Sequence, residues 1–131
     1  MHKKICFLGL VTAILSIPSA GAADPAIHWE PTLDSAQHQA GQTNRPVLIF
    51  FWAPWCAPCR VIGPVVVELA KEYAGRLKVV KVNVDDHPQA PSRYGVRSIP
   101  NLVLFKGGQM RDQIVGAVPK AQLVKAIDQV V

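Results

Sequence analysis

Two thiols, Cys56 and Cys59, separated by Ala57-Pro58, sit where an apolar run from Val47 to Trp52 gives way to a helical pattern beginning near Cys56. A cysteine at a helix N-terminus faces backbone N–H groups with no helical acceptor and the positive end of the macrodipole, and both favour thiolate over thiol. The second cysteine, three residues on, lies about one helical turn away on the same face, close enough to form a disulfide with the first. Such a pair is a reversible two-electron couple. Pro58 lacks an N–H that the first helical turn does not need, and Ala57 is small enough to leave the first sulfur open to a partner.

A Cys-x-x-Cys can also hold zinc or form a purely structural bridge. Zinc needs four ligands as a rule. The remaining cysteine, Cys6, lies in a segment expected to be removed, and His28, His38 and His87 show no metal-ligand spacing with one another. A bridge over so short a loop constrains the unfolded chain very little. Redox chemistry is the reading that fits the context, a strand before the motif and a helix after it. No metal and no organic cofactor is implied.

The elements that must position the pair follow from hydrophobic patterning. Val47 to Trp52 is too continuously apolar for a half-exposed strand and is expected to be central and covered on both faces. The helix from Cys56 to about Ala74 is expected to turn Val61, Ile62, Val65, Val66, Leu69 and Tyr73 inward, with a kink at Pro64 and a stop at Gly75. Leu77 to Val84 reads as a second strand, joined in parallel to the first through that helix. Before the motif, Ala26 to Trp29 is a candidate short strand, Pro31 to Ala40 a helix carrying Leu33, Ala36 and Ala40 on one face, and Gly41 to Pro46 a turn. After Asp85-Asp86-His87-Pro88, a solvated turn, come a short helix over Gln89 to Tyr94 and two strands, Asn101 to Phe105 and Gln109 to Val115, around the hairpin signal Lys106-Gly107-Gly108. Lys120 to Val130 closes the chain as an amphipathic helix with Leu123, Val124, Ile127 and Val131 inward. Trp29 and Trp52 are expected at or near the core.

At 131 residues the chain has room for one domain. Its first residues read as a targeting segment: basic His2-Lys3-Lys4, a mostly apolar stretch from Ile5 to Ile17, and an Ala-x-Ala site favouring cleavage after Ala22. Residues 1–22 are thus expected to be a signal peptide and 23–131 the mature domain, working in the periplasm or otherwise exported. An uncleaved leader acting as an anchor is the minority reading, since the apolar stretch is short for a bilayer. The net charge of +5 falls to +3 without the leader, twelve basic side chains against nine acidic. Basic residues are scattered rather than clustered, which excludes a nucleic-acid footprint. No long exposed apolar segment demands a dimer, so a monomer is expected.

From about Ala26 to the end the chain resembles a thioredoxin. The resemblance rests on Phe51-Trp52-Ala53-Pro54-Trp55-Cys56-Ala57-Pro58-Cys59, Pro64, Lys81-Val82-Asn83-Val84-Asp85, Tyr94-Gly95-Val96-Arg97-Ser98-Ile99-Pro100, Phe105-Lys106-Gly107-Gly108 and Gly116, in the family's order and spacing. It implies an α/β fold, three-layer α/β/α around a central mixed sheet, with Cys56 as attacking nucleophile, Cys59 as resolving thiol and Pro100 as a cis-proline facing the 56–59 disulfide. On residue type alone Pro100 is equally a turn-former ahead of a strand, since only about 5–6% of X–Pro bonds are cis. The resemblance also implies that a client segment would pair with Ile99's backbone and sit on an apolar rim of Trp55, Ile99 and Gly116 beside Ala57, Pro58 and Pro100.

One departure matters. Thioredoxins commonly carry a buried Asp six residues before the first cysteine, credited with taking the second thiol's proton, and that position is Phe50 here. Lys81, which matches the lysine accompanying that Asp, lacks the family's carboxylate at position 50. Cys59 is therefore expected to pass its proton to water or to Cys56, with slower reduction near neutral pH.

The expected activity is that of an exported thiol-disulfide oxidoreductase reducing disulfides in client proteins, supplied with electrons by a membrane protein of the thiol-disulfide interchange type. Oxidation or isomerisation of client thiols is the rival direction. Ala57-Pro58 resembles the Gly-Pro of reducing thioredoxins more than the His-bearing pairs of strong oxidants. Outside enzymes, the rival is a thioredoxin-fold binding module.

Overall fold

The computed structural model describes residues 33–131. The leader, Cys6, the candidate strand at residues 26–29 with Trp29, and the start of the first helix lie outside the described residues.

The apolar run forms strand β1 (Val47–Trp52), buried along all but its last residue. It lies inside a four-stranded sheet ordered β2-β1-β3-β4, with β2 (Lys78–Asn83), β3 (Asn101–Lys106) and β4 (Gln109–Val115). β1 pairs in parallel with β2, and β1–β3 and β3–β4 pair antiparallel, so the sheet is mixed. Side chains alternate across β1. Leu48 and Phe50 join a core with Cys56, Cys59, Ile62, Val66 and Leu69 of the motif helix and Leu123 and Ile127 of the last helix. Val47, Ile49 and Phe51 join the opposite core with Ala90, Tyr94 and Val96. Helices on both faces thus make the three layers of a thioredoxin fold.

The first helix, α1 (Leu33–Thr43), runs past Ala40, where a turn was expected from Gly41. Gly41 continues the helix, Thr43 Oγ1 donates back to the Gln39 carbonyl at 3.0 Å, and the chain leaves the helix at Asn44, whose φ of 51° is left-handed. Asparagine tolerates that region well enough to end a helix. The burial of Leu33, Ala36 and Ala40 lies outside the described side chains.

The motif helix is α2 (Ala57–Glu72), with Pro64 inside it, capped at Tyr73 and followed by Gly75 at φ 82°. Its inward stripe is Cys59, Ile62, Val66 and Leu69. Val61, expected inward, is 72% exposed. Position 61 sits about 100° from Ile62 on the helix, and the core is already filled by the stripe through Ile62. The short helix α3 (Ala90–Arg93) packs Ala90 inward. Gly107 and Gly108, at φ 61° and 74°, form the two-residue turn between β3 and β4, the positive φ pair that matches strand twist.

The closing helix α4 (Lys120–Asp128) is shorter than expected and buries Leu123, Ala126 and Ile127, with Val124 half-buried. Val131, expected inward, is 41% exposed and Val130 is buried instead, because the helix ends before either residue and the 3.6-residue period no longer applies. Tyr73 Oη donates to Asp128 at 2.7 Å and ties α4 to the end of α2. Burial first, then the bond to Asp128 and its charge, hold the phenol above its ordinary value. The folded state therefore favours protonated Tyr73, a contribution present below about pH 10 and lost as pH rises through the folded pKa. Tyr94, raised mainly by burial, acts with the same sign. Tyr73→Phe should cost about 1 kcal/mol in urea denaturation at neutral pH. The gap from wild type should narrow above about pH 10.

Candidate active site

Cys56 is the N-cap of α2, in extended conformation at φ −81° and ψ 102°, and its sulfur accepts a hydrogen bond from the Cys59 N–H at 3.2 Å. That N–H is one of the donors a helix start leaves without a carbonyl partner. It stabilises negative charge on the sulfur in the same place where the helix dipole does. The two cysteines are joined by a disulfide with Cα atoms 5.2 Å apart. Cys56 is 5% exposed and Cys59 is 2% exposed, so the resolving sulfur is the deeper of the two. Pro58 occupies the first turn, and Ala57 and Pro58 are both exposed beside the largely buried bridge.

Trp55 is 68% exposed and Nε1 donates to Asp85 Oδ2 at 2.9 Å, so a large indole is held in solvent by a specific bond rather than by packing. Asp85 in turn begins a tight turn, its N–H donating to Asn83 Oδ1 at 3.0 Å. Sequence reasoning placed Asp85 in the family pattern and in a turn, and missed its hold on Trp55; its place in Lys81-Val82-Asn83-Val84-Asp85 is the signal that could have found it. The Ile99–Pro100 peptide is cis. Pro100 is buried, and its carbonyl accepts from the Gly116 N–H at 2.8 Å, which holds the turn before β3 against the end of β4. Gly116 has φ 90°, a conformation that a side chain would strain. Ile99 is half-buried and packs against the cores on both faces of the sheet.

Phe50 is 1% exposed and packs in the same cluster as both cysteines, so the side of the bridge facing the sheet is apolar. Lys81 is the direct partner of Phe50 in the β1–β2 ladder, and its ammonium lies over the Trp52 ring, 4.1 Å from the centroid. Desolvation holds that ammonium below its ordinary pKa. Lys81 is thus a half-buried, mid-strand lysine, where a strand-end one was expected, whose stem lies over apolar surface and whose charge has a specific partner ring. His87 is exposed in its turn. Asn101, at the start of β3, is a buried polar residue the sequence did not mark; it accepts from Gln113 Nε2 at 3.1 Å. Among the described residues no group of three or more His, Cys, Asp or Glu is placed to hold a metal ion.

The family model Thioredoxin matches residues 30–129. The chain is 58% identical to Thioredoxin 1 of Nostoc sp. over 84 residues, 64% of this chain and 78% of that protein. It is 56% identical to the chloroplastic M-type thioredoxin of Zea mays over 84 residues, again 64% of this chain but 50% of that longer protein. The X-ray structure of Fasciola hepatica thioredoxin superposes with a TM-score of 0.69 at 31% identity, covering 75% of this chain and 93% of that one. A redox pair at a helix N-cap and a whole-domain match point the same way: the chain belongs to the thioredoxin family and is a thioredoxin-type disulfide oxidoreductase with Cys56 and Cys59 as its pair.

Proposed function

We propose that the chain is an exported thioredoxin that reduces disulfides in client proteins. The observation that carries this reading is Cys56 at the α2 N-cap, hydrogen-bonded by Cys59 N–H and followed by the exposed Ala57 and Pro58. In the reduced protein the Cys56 thiolate attacks one sulfur of a client disulfide, the client's S–S bond breaks, and one client thiolate leaves while a Cys56–client disulfide forms. Cys59 then loses its proton and attacks Cys56 Sγ. The second client thiolate leaves and takes up a proton, two electrons have passed to the client, and the 56–59 bond is closed. Trp55, Ala57, Pro58, Ile99, Pro100 and Gly116 form the surface on which the client segment lies, with the Ile99 backbone, just outside the β3 ladder, available for a short strand-like pairing.

Export is proposed from the basic start, apolar stretch and Ala-x-Ala site of residues 1–22. A chain working there needs electrons from across the membrane, so a membrane dithiol donor of the thiol-disulfide interchange type is proposed as the partner that reopens the 56–59 bond. Equilibrating the mature protein with defined glutathione buffers and counting free thiols tests direction. A potential near the −270 mV typical of thioredoxin supports a reductant, and one near the −120 mV of the strong oxidants would reverse the proposed flow.

A further inference from the structure

The outer face of α2 changes character along its length. Opposite the buried stripe lie Ala57, Arg60, Val61, Pro64, Glu68, Lys71 and Glu72, all exposed. The last of these are charged, and Glu68 and Glu72 are tied to Lys120 of α4 at 2.9 and 2.6 Å. The first two turns are apolar apart from Arg60. Ala57 and Val61 are four residues apart and Val61 and Pro64 three apart, so they adjoin on the helix surface over about 10 Å. Single exposed apolar residues are ordinary. Here the apolar part is confined to the end of the helix that begins at Cys56, and it runs on from Trp55 and Pro58. Val61 is 72% exposed and Trp55 68%.

Exchange at Cys56 brings a client's cysteine against Trp55, Ala57 and Pro58, so the residues flanking that cysteine in the client must pass over whatever adjoins them. Arg60 follows Cys59 directly and makes no ion pair among the described residues. We propose that Ala57, Val61 and Pro64 form a second contact for the client, taking an apolar side chain near its cysteine while Arg60 meets a carboxylate beside it. This rests on the reductase reading above and adds a preference among clients: apolar and acidic flanks over polar and basic ones.

Two synthetic peptides with the same internal disulfide test it, one flanked by Leu and Glu, the other by Ser and Lys, with bis(2-hydroxyethyl) disulfide as a neutral small substrate. Reduced wild-type protein should turn over the Leu/Glu peptide with kcat/KM about tenfold above the Ser/Lys peptide, a difference typical of one modest contact. Val61→Ser should lower the ratio of Leu/Glu-peptide to small-disulfide turnover about fivefold, and Arg60→Gln should weaken the salt dependence of the peptide preference. Equal turnover of the peptides, or a preference that survives Val61→Ser, overturns the second contact while leaving the reductase reading in place. A concentration-dependent dimer in sedimentation, lost in Val61→Ser, also overturns it, because the stripe would then serve a second copy of the chain. Failure to reduce any of the three disulfides overturns the reductase reading and the client preference with it.

Discussion

Cys56→Ser is expected to lose disulfide reduction by about 1,000-fold or more, whereas Cys59→Ser should keep the first half of the reaction and stop at the second. The difference follows from where the two sulfurs sit. Cys56 caps α2, with the Cys59 N–H 3.2 Å from its sulfur and the helix dipole behind that bond, so its thiolate is the stabilised nucleophile. A serine hydroxyl there ionises far less readily than a thiol and cannot form the mixed disulfide at all. Cys59, 2% exposed and a helical turn deeper, reaches only the sulfur already joined to the client. Without it the Cys56–client bond persists and runs as a higher band on a non-reducing gel, collapsing with dithiothreitol. Stability should separate from activity, because a bridge between residues three apart removes little freedom from the unfolded chain. A Cys56→Ser variant that kept the chain's cellular role would assign the role to binding rather than to exchange.

What the residue pattern revealed and what it hid divide along physical lines. β1 was legible because six consecutive apolar residues before a helix admit one place in a parallel-containing sheet, buried on both sides. The Gly107-Gly108 turn was legible because only glycine adopts two successive positive φ values without strain. The end of α1 was not, since both Gly41 and Asn44 are able to stop a helix and the choice is made by packing and by the Thr43 back-bond to Gln39. Val61 was misplaced because an apolar stretch as continuous as Val65-Val66-Val67 blurs the 3.6-residue period around it, and the helix can bury only one stripe. The Trp55–Asp85 bond spans thirty residues and joins two turns, so no local pattern encodes it. The same holds for Asn101 and Gln113, which meet only when β3 pairs with β4. Motif spacing thus located the chemistry, while the bonds that hold its surroundings in place are long-range.

Phe50→Asp should weaken the fold and at the same time speed the release of clients. Phe50 is 1% exposed, directly opposite Lys81 on β2 and Leu102 on β3, in the cluster that holds both cysteines. Replacing its ring with a carboxyl leaves apolar volume unfilled and buries a polar group, together about 3–5 kcal/mol in urea denaturation of the oxidised protein. Burial raises the new carboxyl above the unfolded value of about 3.9, so its penalty is smallest at acid pH and grows as pH rises through the folded pKa. The stability deficit should therefore be larger at pH 8 than at pH 4. Lys81 limits that growth, since its ammonium, itself held low by desolvation, gains a carboxylate across the ladder. For the reaction the sign reverses. A carboxylate on the cysteine side of β1 is positioned to take the proton of Cys59 as it attacks, and a general base of this kind contributes about 100-fold or more. Single-turnover release of the peptide from a Cys56 mixed disulfide should accelerate by that factor near pH 7 and acquire a new inflection with pH, whereas Phe50→Leu should follow wild type. If the aspartate and leucine variants released peptide at the same rate and with the same pH dependence, proton transfer from Cys59 would not depend on residue 50, and the slow step assigned to Phe50 would lie elsewhere.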